Sequence, residues 1–375
     1  MLGTVRLSFV VQGPIVESEA GSTRATCAAI RHFFPGSEIV LSTWAGSNIA
    51  GISHDACVMS PDPGKVEFDF NTNRMIVSSL AGVRQARGAL VVRLRSDLLF
   101  QGDGVLRFWD RWRDVGPSYR LFQSRVLIPN VFTRKPSHLS PLPMNPSDWC
   151  FLGRREDLLL LFDVPALTPG EAAHTPPASE FAGLFWNRGR APRYSVEQWL
   201  WSSAIRKIDP ALPFSFLWDF TPVTLTATEA SFANNFVVLD TAEQYGLVCP
   251  KYPEAGRTFQ DETLYHHAEW LELCGYYGGG RDAARPVRSL AEIVGEPEWL
   301  PSWTLRDHRI VELRQAGYRW EAQLIESMLA GPTLLRDFST GGSPTHPDAM
   351  RARDLVLVTM ARRELLARLA ATGPA

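Results

Sequence analysis

The chain has 375 residues, with 38 Lys+Arg against 40 Asp+Glu and a formal net charge of −2. This balance argues against a generic nucleic-acid binder, which needs a basic surplus to displace counterions from phosphates. At 45% hydrophobic and 21% charged, the composition supplies a sizeable core, excludes disorder and collagen-like repeats, and suits two domains or one large domain with an appendage.

In chain order, residues 7–11 read as a buried strand that ends at the turn Gln12-Gly13-Pro14. A helix follows, capped by Ser22 or Thr23, with Cys27, Ile30 and Phe33/Phe34 at helical spacing and Pro35-Gly36 as its stop. Residues 38–44 form the second strand and 56–59 a short third one. Asn71 or Asn73 begins a second helix whose Met75, Ile76, Leu80 and Val83 share a face, and Gly88 marks its end. The fourth strand, 89–94, runs into Arg95-Ser96-Asp97. This order predicts an α/β fold, a mostly parallel sheet covered by helices. Ligands bind outside the carboxyl ends of such strands, so Gln12-Gly13-Pro14, Ser42-Thr43-Trp44 and Arg95-Ser96-Asp97 are expected to face one crevice.

Downstream, 119–128 and 149–152 read as strands, 155–162 as a helix, and the Pro-, Gly- and Ala-rich stretch 164–193 as a surface loop or lid. A helix over 195–208 is capped by Ser195. The pattern weakens around Gly278-Gly279-Gly280, and helices follow from about 289 to a last one over 348–369. The five cysteines are widely spaced without a CxxC pair, which predicts a reduced, cytoplasmic setting. No apolar run approaches the roughly 18 residues of a spanning helix, and the start lacks the pattern of a signal peptide.

Alternation on the fourth strand places Arg93, Arg95 and Asp97 on one side. Two guanidiniums and a carboxylate at the end of a buried strand are costly unless paired or used on a ligand. Arginine forks onto phosphate oxygens, and an Asp can hold a divalent cation that bridges them. A self-satisfied Arg-Asp ion pair is the competing explanation.

The segments VVQGPI (10–15), EIVLSTW (38–44), DPG (62–64), NRMIVSSLAGVRQA (73–86), VVRLRSDL (91–98), SDWCFLGRREDL (147–158), VEQWLW (196–201) and NNFVVLD (234–240) together resemble the WavE family of lipopolysaccharide-synthesis proteins. The resemblance implies transfer of a sugar from a nucleotide-activated donor to a lipid-linked or oligosaccharide acceptor in lipopolysaccharide, capsule or related glycan assembly. It also implies a GT-A-like fold: a glycosyltransferase domain over 1–255, divided into a nucleotide-sugar-binding half (1–110) and an acceptor half (111–255), with a mainly helical extension over 256–375. In that pattern Arg95-Ser96-Asp97 stands where GT-A enzymes carry Asp-x-Asp, with Arg95 replacing the first Asp.

That replacement leaves two expectations. Asp97 holds one divalent cation, Mn or Mg, on the donor diphosphate, or Arg74, Arg93 and Arg95 supply the positive charge without a metal. Inversion at the anomeric carbon needs a base for the acceptor hydroxyl, for which Glu197 is the first candidate and Asp148 the second. An ordinary first-turn Glu and a turn-fixing Asp are their structural alternatives. Gln12 and Gly13 lie where the base and ribose of the donor are expected, though Gly13-Pro14 is also a plain turn signal. Thr23 or Arg24 can meet phosphate or simply start a helix. Trp149, Trp199 and Trp201 suit the core better than a sugar platform. Asn234, Asn235 and Asp240 lie in a matched segment without an assigned role. His266-His267-x-Glu269 reads as a solvated helix face, since adjacent side chains on a helix point about 100° apart. The arginine-rich last helix suits a solvated face more than peripheral contact with the inner membrane. A non-catalytic nucleotide-sugar-binding or assembly protein and a phosphoryl-type transferase acting on a polysaccharide are the alternative functions.

Overall fold

The computed structural model describes residues 6–18, 21–68, 70–112, 115–135, 142–174, 191–217, 222–251 and 264–277. The expected helices from 289 onward, including the arginine-rich 348–369, and most of the 164–193 lid lie outside these residues.

Seven strands make one sheet: β1 (Leu7–Gln12), β2 (Glu38–Trp44), β3 (Ala56–Ser60), β4 (Leu90–Arg95), β5 (Val126–Pro129), β6 (Cys150–Arg154) and β7 (Phe236–Leu239). Their order across the sheet is β3-β2-β1-β4-β6-β5-β7. Parallel pairing joins β1 to β2 and β4, β2 to β3, and β5 to β7. Only β6 runs against its neighbours β4 and β5. The expected mostly parallel α/β sheet is thus the observed one. Parallel central strands must be apolar on both faces, and β1 meets this with buried Phe9, Val10 and Val11.

Helices α1 (Thr23–Phe33) and α2 (Thr72–Gln85) follow β1 and β3. Period-two alternation sends Phe9 to the α1 side, where its ring lies 4.7 Å from Phe34 and 5.8 Å from Phe100. Val10 and Gln12 point the other way, under α2. The helix comes so close there that a Cβ on Gly82 would press into Val10 and lie 2.9 Å from Ser42 Cβ. Helices α3 (Arg155–Phe162) and α4 (Val196–Ile205) extend the α2 layer. At the far edge, α5 (Pro222–Asn235) and α6 (His267–Tyr277) pack on each other and on β7. Trp201 of α4 is buried 4.5 Å from Phe236 of β7, so the second half of the sheet shares one continuous core with its helices.

The strand expected over 119–128 is shortened to Val126–Pro129. The reason lies in α5. Asn235 Oδ1 accepts from Leu121 N (2.7 Å) and Phe122 N (3.1 Å), while its Nδ2 donates to Tyr119 O at 2.6 Å. Asn234 likewise accepts from Gly116 N and donates to Ser118 O. These two amides satisfy the backbone of 116–122 as a turn, so no ladder partner is needed. Among the described residues no helix is long and apolar enough to cross a membrane.

Candidate active site

Between β1 and β4 the strand order reverses, with β2 and β3 on one side and β6, β5 and β7 on the other. In open α/β sheets ligands bind at the carboxyl ends of the strands beside such a reversal. Register places Gln12 opposite Arg95. Gln12 is buried, and its Oε1 accepts from Ser78 Oγ of α2 at 2.6 Å. Gly13 has φ +117° with Ser96 Oγ 3.3 Å from where a Cβ would stand, a conformation that favours glycine. Ser96 N donates to Gln12 O (3.0 Å) and Ser96 Oγ to Pro14 O (2.6 Å), so the loops after β1 and β4 are stitched together.

Arg95 forks onto Asp97, with Nε 3.0 Å from Oδ1 and Nη2 2.6 Å from Oδ2. Its guanidinium also lies 5.3 Å from the centre of the Trp149 ring. Burial opposes its charge, but the Asp97 fork and the nearby Asp148 carboxylate outweigh this and raise its pKa. Arg93 is fully buried, donates from Nε to Ser79 Oγ at 2.8 Å and from Nη1 to Asp148 O, and lies over the rings of Phe151 and Phe162. Burial lowers its pKa to about 10, opposed by the Asp148 charge. Among the described residues its Nη2 has no hydrogen-bond partner. Arg74, in the first turn of α2, makes a forked bond to Asp62 (2.8 and 2.6 Å) and another to Asn71 Oδ1 at 3.1 Å. That fork holds the Asp62 carboxyl below its ordinary pKa.

The start of α4 is fixed by a capping box, in which Gln198 N donates to Ser195 Oγ and Ser195 N to Gln198 Oε1. Ser195 Oγ donates to Asn145 Oδ1 at 2.5 Å and Gln198 Nε2 to Pro143 O at 2.8 Å, which locks the first turn of α4 against the segment leading to Asp148. Glu197 therefore faces Asp148. Burial, then repulsion from Asp148, pushes the Glu197 carboxyl up to about 7, although its own N–H, the Ser195 hydroxyl and Arg134 pull the other way. The Asp148 carboxylate makes no hydrogen bond or ion pair among the described residues.

The fold thus gathers Gln12, Gly13, Arg93, Arg95, Asp97, Asp148 and Glu197 around one rim, while Arg74 is engaged by Asp62 beside it. Trp149, read from the sequence as core rather than sugar platform, lies under the Arg95 guanidinium, and Asn145, which supports Ser195, carried no distinctive pattern in the sequence. Thr23 and Arg24 are used locally: Thr23 Oγ1 accepts from Val16 N, and Arg24 donates to the carbonyls of Ala50 and Gly51. Trp199 and Trp201 are buried, their Nε1 groups donating to Pro165 O and Ser231 Oγ. As arranged, each oxygen of Asp97 accepts from Arg95, so a divalent cation bound there would sit against a guanidinium that repels it. Among the described residues no three His, Cys, Asp or Glu side chains are grouped to hold a metal.

The solvated face expected at 266–269 is not what forms. His266 Nδ1 lies 3.0 Å from Asp240 Oδ1, His267 Nδ1 is 2.7 Å from Val238 O, and Glu269 pairs with Lys135 at 2.5 Å. These residues grip the end of β7, a pairing that only the tertiary fold creates.

A family model described as WavE lipopolysaccharide synthesis matches residues 7–290. No curated protein matches the chain. Among solved structures, a mannosyltransferase from Pyrobaculum calidifontis in complex with GDP-Man and Mn2+ is similar over 43% of this chain and 48% of its own, at 14% identity and a TM-score of 0.27. HddC from Yersinia pseudotuberculosis, complexed with GMP-PN, is similar over 44% of this chain and 81% of its own, at 7% identity and a TM-score of 0.26. The chain spans about half the length of the mannosyltransferase it matches.

Proposed function

Since the chain belongs to the WavE lipopolysaccharide synthesis family, we propose that it is a glycosyltransferase that moves a sugar from a nucleotide-activated donor to a growing lipopolysaccharide or related glycan, with inversion. The observation that carries this reading is the meeting of Arg95 and Asp97 with Asp148 and Glu197 at the point where the strand order reverses. A guanidinium near one carboxylate of an interacting Asp148-Glu197 pair suits a reaction in which a phosphate leaves one side of a carbon as a hydroxyl attacks the other.

In the proposed mechanism the donor lies over the ends of β1 and β4, its base and ribose toward Gln12 and Gly13. The acceptor oxygen forms its bond to the anomeric carbon while the bond from that carbon to the donor phosphate breaks. Glu197 takes the hydroxyl proton, and a carboxylate with a pKa near the working pH is suited to that task. Burial, with repulsion from Asp148, keeps that pKa high. Arg95, with Arg93 behind it, stabilises the negative charge that develops on the leaving phosphate. No step is routed through a metal ion.

The test is nucleotide release from a panel of UDP-, GDP-, dTDP- and CMP-sugars with lipopolysaccharide extract as acceptor. Release that depends on Glu197, with donor binding retained in Glu197→Gln, supports the transferase. Donor binding without turnover in the wild type points instead to a binding or assembly protein.

A further inference from the structure

The carboxyl rim continues beyond the candidate active site. Strands β5 and β7 are parallel, and the residues that follow them meet at its outer end. Asn130 Oδ1 accepts from Thr241 N (3.0 Å) and Thr241 Oγ1 (2.6 Å), which turns its Nδ2 toward Asp240 Oδ1 at 3.3 Å. His266 Nδ1 lies 3.0 Å from the same oxygen, and His267 N donates to it at 3.3 Å. Asn130 Nδ2 is also 3.5 Å from His266 Nδ1. The Asp240 contact engages the imidazole at Nδ1, so Nε2 is the ring's second polar atom. Asp240 Oδ2 and His266 Nε2 make no hydrogen bond among the described residues. Their side chains are 27% and 38% exposed, on a backing that is buried.

A carboxylate oxygen and an imidazole nitrogen, held on neighbouring side chains and partly open to solvent, fit a ligand with neighbouring hydroxyls, since a hydroxyl both donates and accepts. Glu269, which accepts from His266 N at 3.0 Å, is itself paired with Lys135, so the nearby charges are matched. Distance decides which part of the reaction this group serves. From β4 to β7 there are three strand spacings, about 14 Å along the rim. A general base must sit within about 3 Å of the proton it takes. A donor over β1 and β4 therefore leaves His266 too far from the reacting bond to be the base.

We propose that Asp240 and His266, positioned by Asn130, form a distal acceptor subsite, which holds a sugar unit of an oligosaccharide acceptor other than the unit being extended. The proposal rests on the glycosyltransferase reading but is tested by binding alone. The probe is deacylated lipopolysaccharide core oligosaccharide, titrated into isotopically labelled full-length protein while the His266 ring resonances are followed, with the component monosaccharides as comparison. The oligosaccharide is expected to shift the His266 signals, and to bind about tenfold more weakly to His266→Ala and Asp240→Asn, as loss of one or two hydrogen bonds dictates. Saturating oligosaccharide that leaves the His266 ring unmoved, or binds both variants as tightly as wild type, overturns the subsite. Asp240 accepts three bonds and its variant can lose the local fold, whereas His266→Ala removes no backbone bond and keeps the test decisive. Absence of nucleotide release in the wild type would sink the transferase reading without touching this binding result.

Discussion

Glu197 is the residue on which the chemistry turns, and its environment fixes a pH signature. A base works deprotonated, so turnover should rise with pH through about 7 and level off above it. Asp148→Asn removes the repulsion that raises Glu197, so the rise should move to lower pH. An unmoved profile in that variant would separate Glu197 from the rate-determining proton transfer. The same raised value acts on stability. The folded protein holds a proton that the unfolded chain releases near 4.5, so this contribution is complete below 4.5 and is lost as pH rises through about 7. Glu197→Gln should melt with less pH dependence across that window, as read by thermal unfolding. At this scale the sequence revealed which residue types were chemically conspicuous. It gave no means of deciding between an Arg95-Asp97 pair and an Asp97-bound cation, because that depends on where the guanidinium points.

Two elements carry sharp mechanical predictions. Gly82 sits in mid-helix, where replacing glycine by alanine ordinarily gains about 1 kcal/mol. Here the added methyl meets Val10 and Ser42, and overpacking costs about 1–3 kcal/mol, so Gly82→Ala should lower Tm rather than raise it. The second case ties the starts of three strands together. Glu38 of β2 accepts from Ser8 Oγ of β1 at 2.5 Å, and from Arg87, just before β4, through its backbone N (2.9 Å) and Nε (2.5 Å). Burial opposes the Glu38 charge, but these donors prevail and hold its pKa below the ordinary 4.5. Its stabilisation is present above 4.5 and lost as pH falls toward the depressed folded value. Glu38→Gln should therefore flatten the acid limb of a thermal-melt series; a limb as steep as wild type would assign acid sensitivity to other carboxylates. The first four strands and first three helices were legible because their apolar periodicity is local. The 116–122 turn was not, since its backbone is satisfied by Asn234 and Asn235, more than a hundred residues downstream.

For the whole molecule, the reversal of strand order at β1 and β4 and the antiparallel β6 bring residues from 12 to 197 to one rim. Because Arg95 already neutralises Asp97, turnover should survive exhaustive chelation, measured by nucleotide release with and without chelator. Strict Mn or Mg dependence would mean that the fork opens and Asp97 binds the cation.

Sequence by itself determined the parallel α/β core, the strand ends that carry Gln12, Arg95 and Asp97, and the resemblance to a lipopolysaccharide-synthesis family, since these depend on local periodicity and contiguous motifs. Tertiary structure alone decided that Arg95 closes on Asp97, that Arg74 turns to Asp62, that Asp148 raises Glu197, and that His266 meets Asp240. Each of those outcomes is a side-chain direction or a through-space charge interaction. Both are set by how strands and helices distant in sequence pack, and no residue spacing records them.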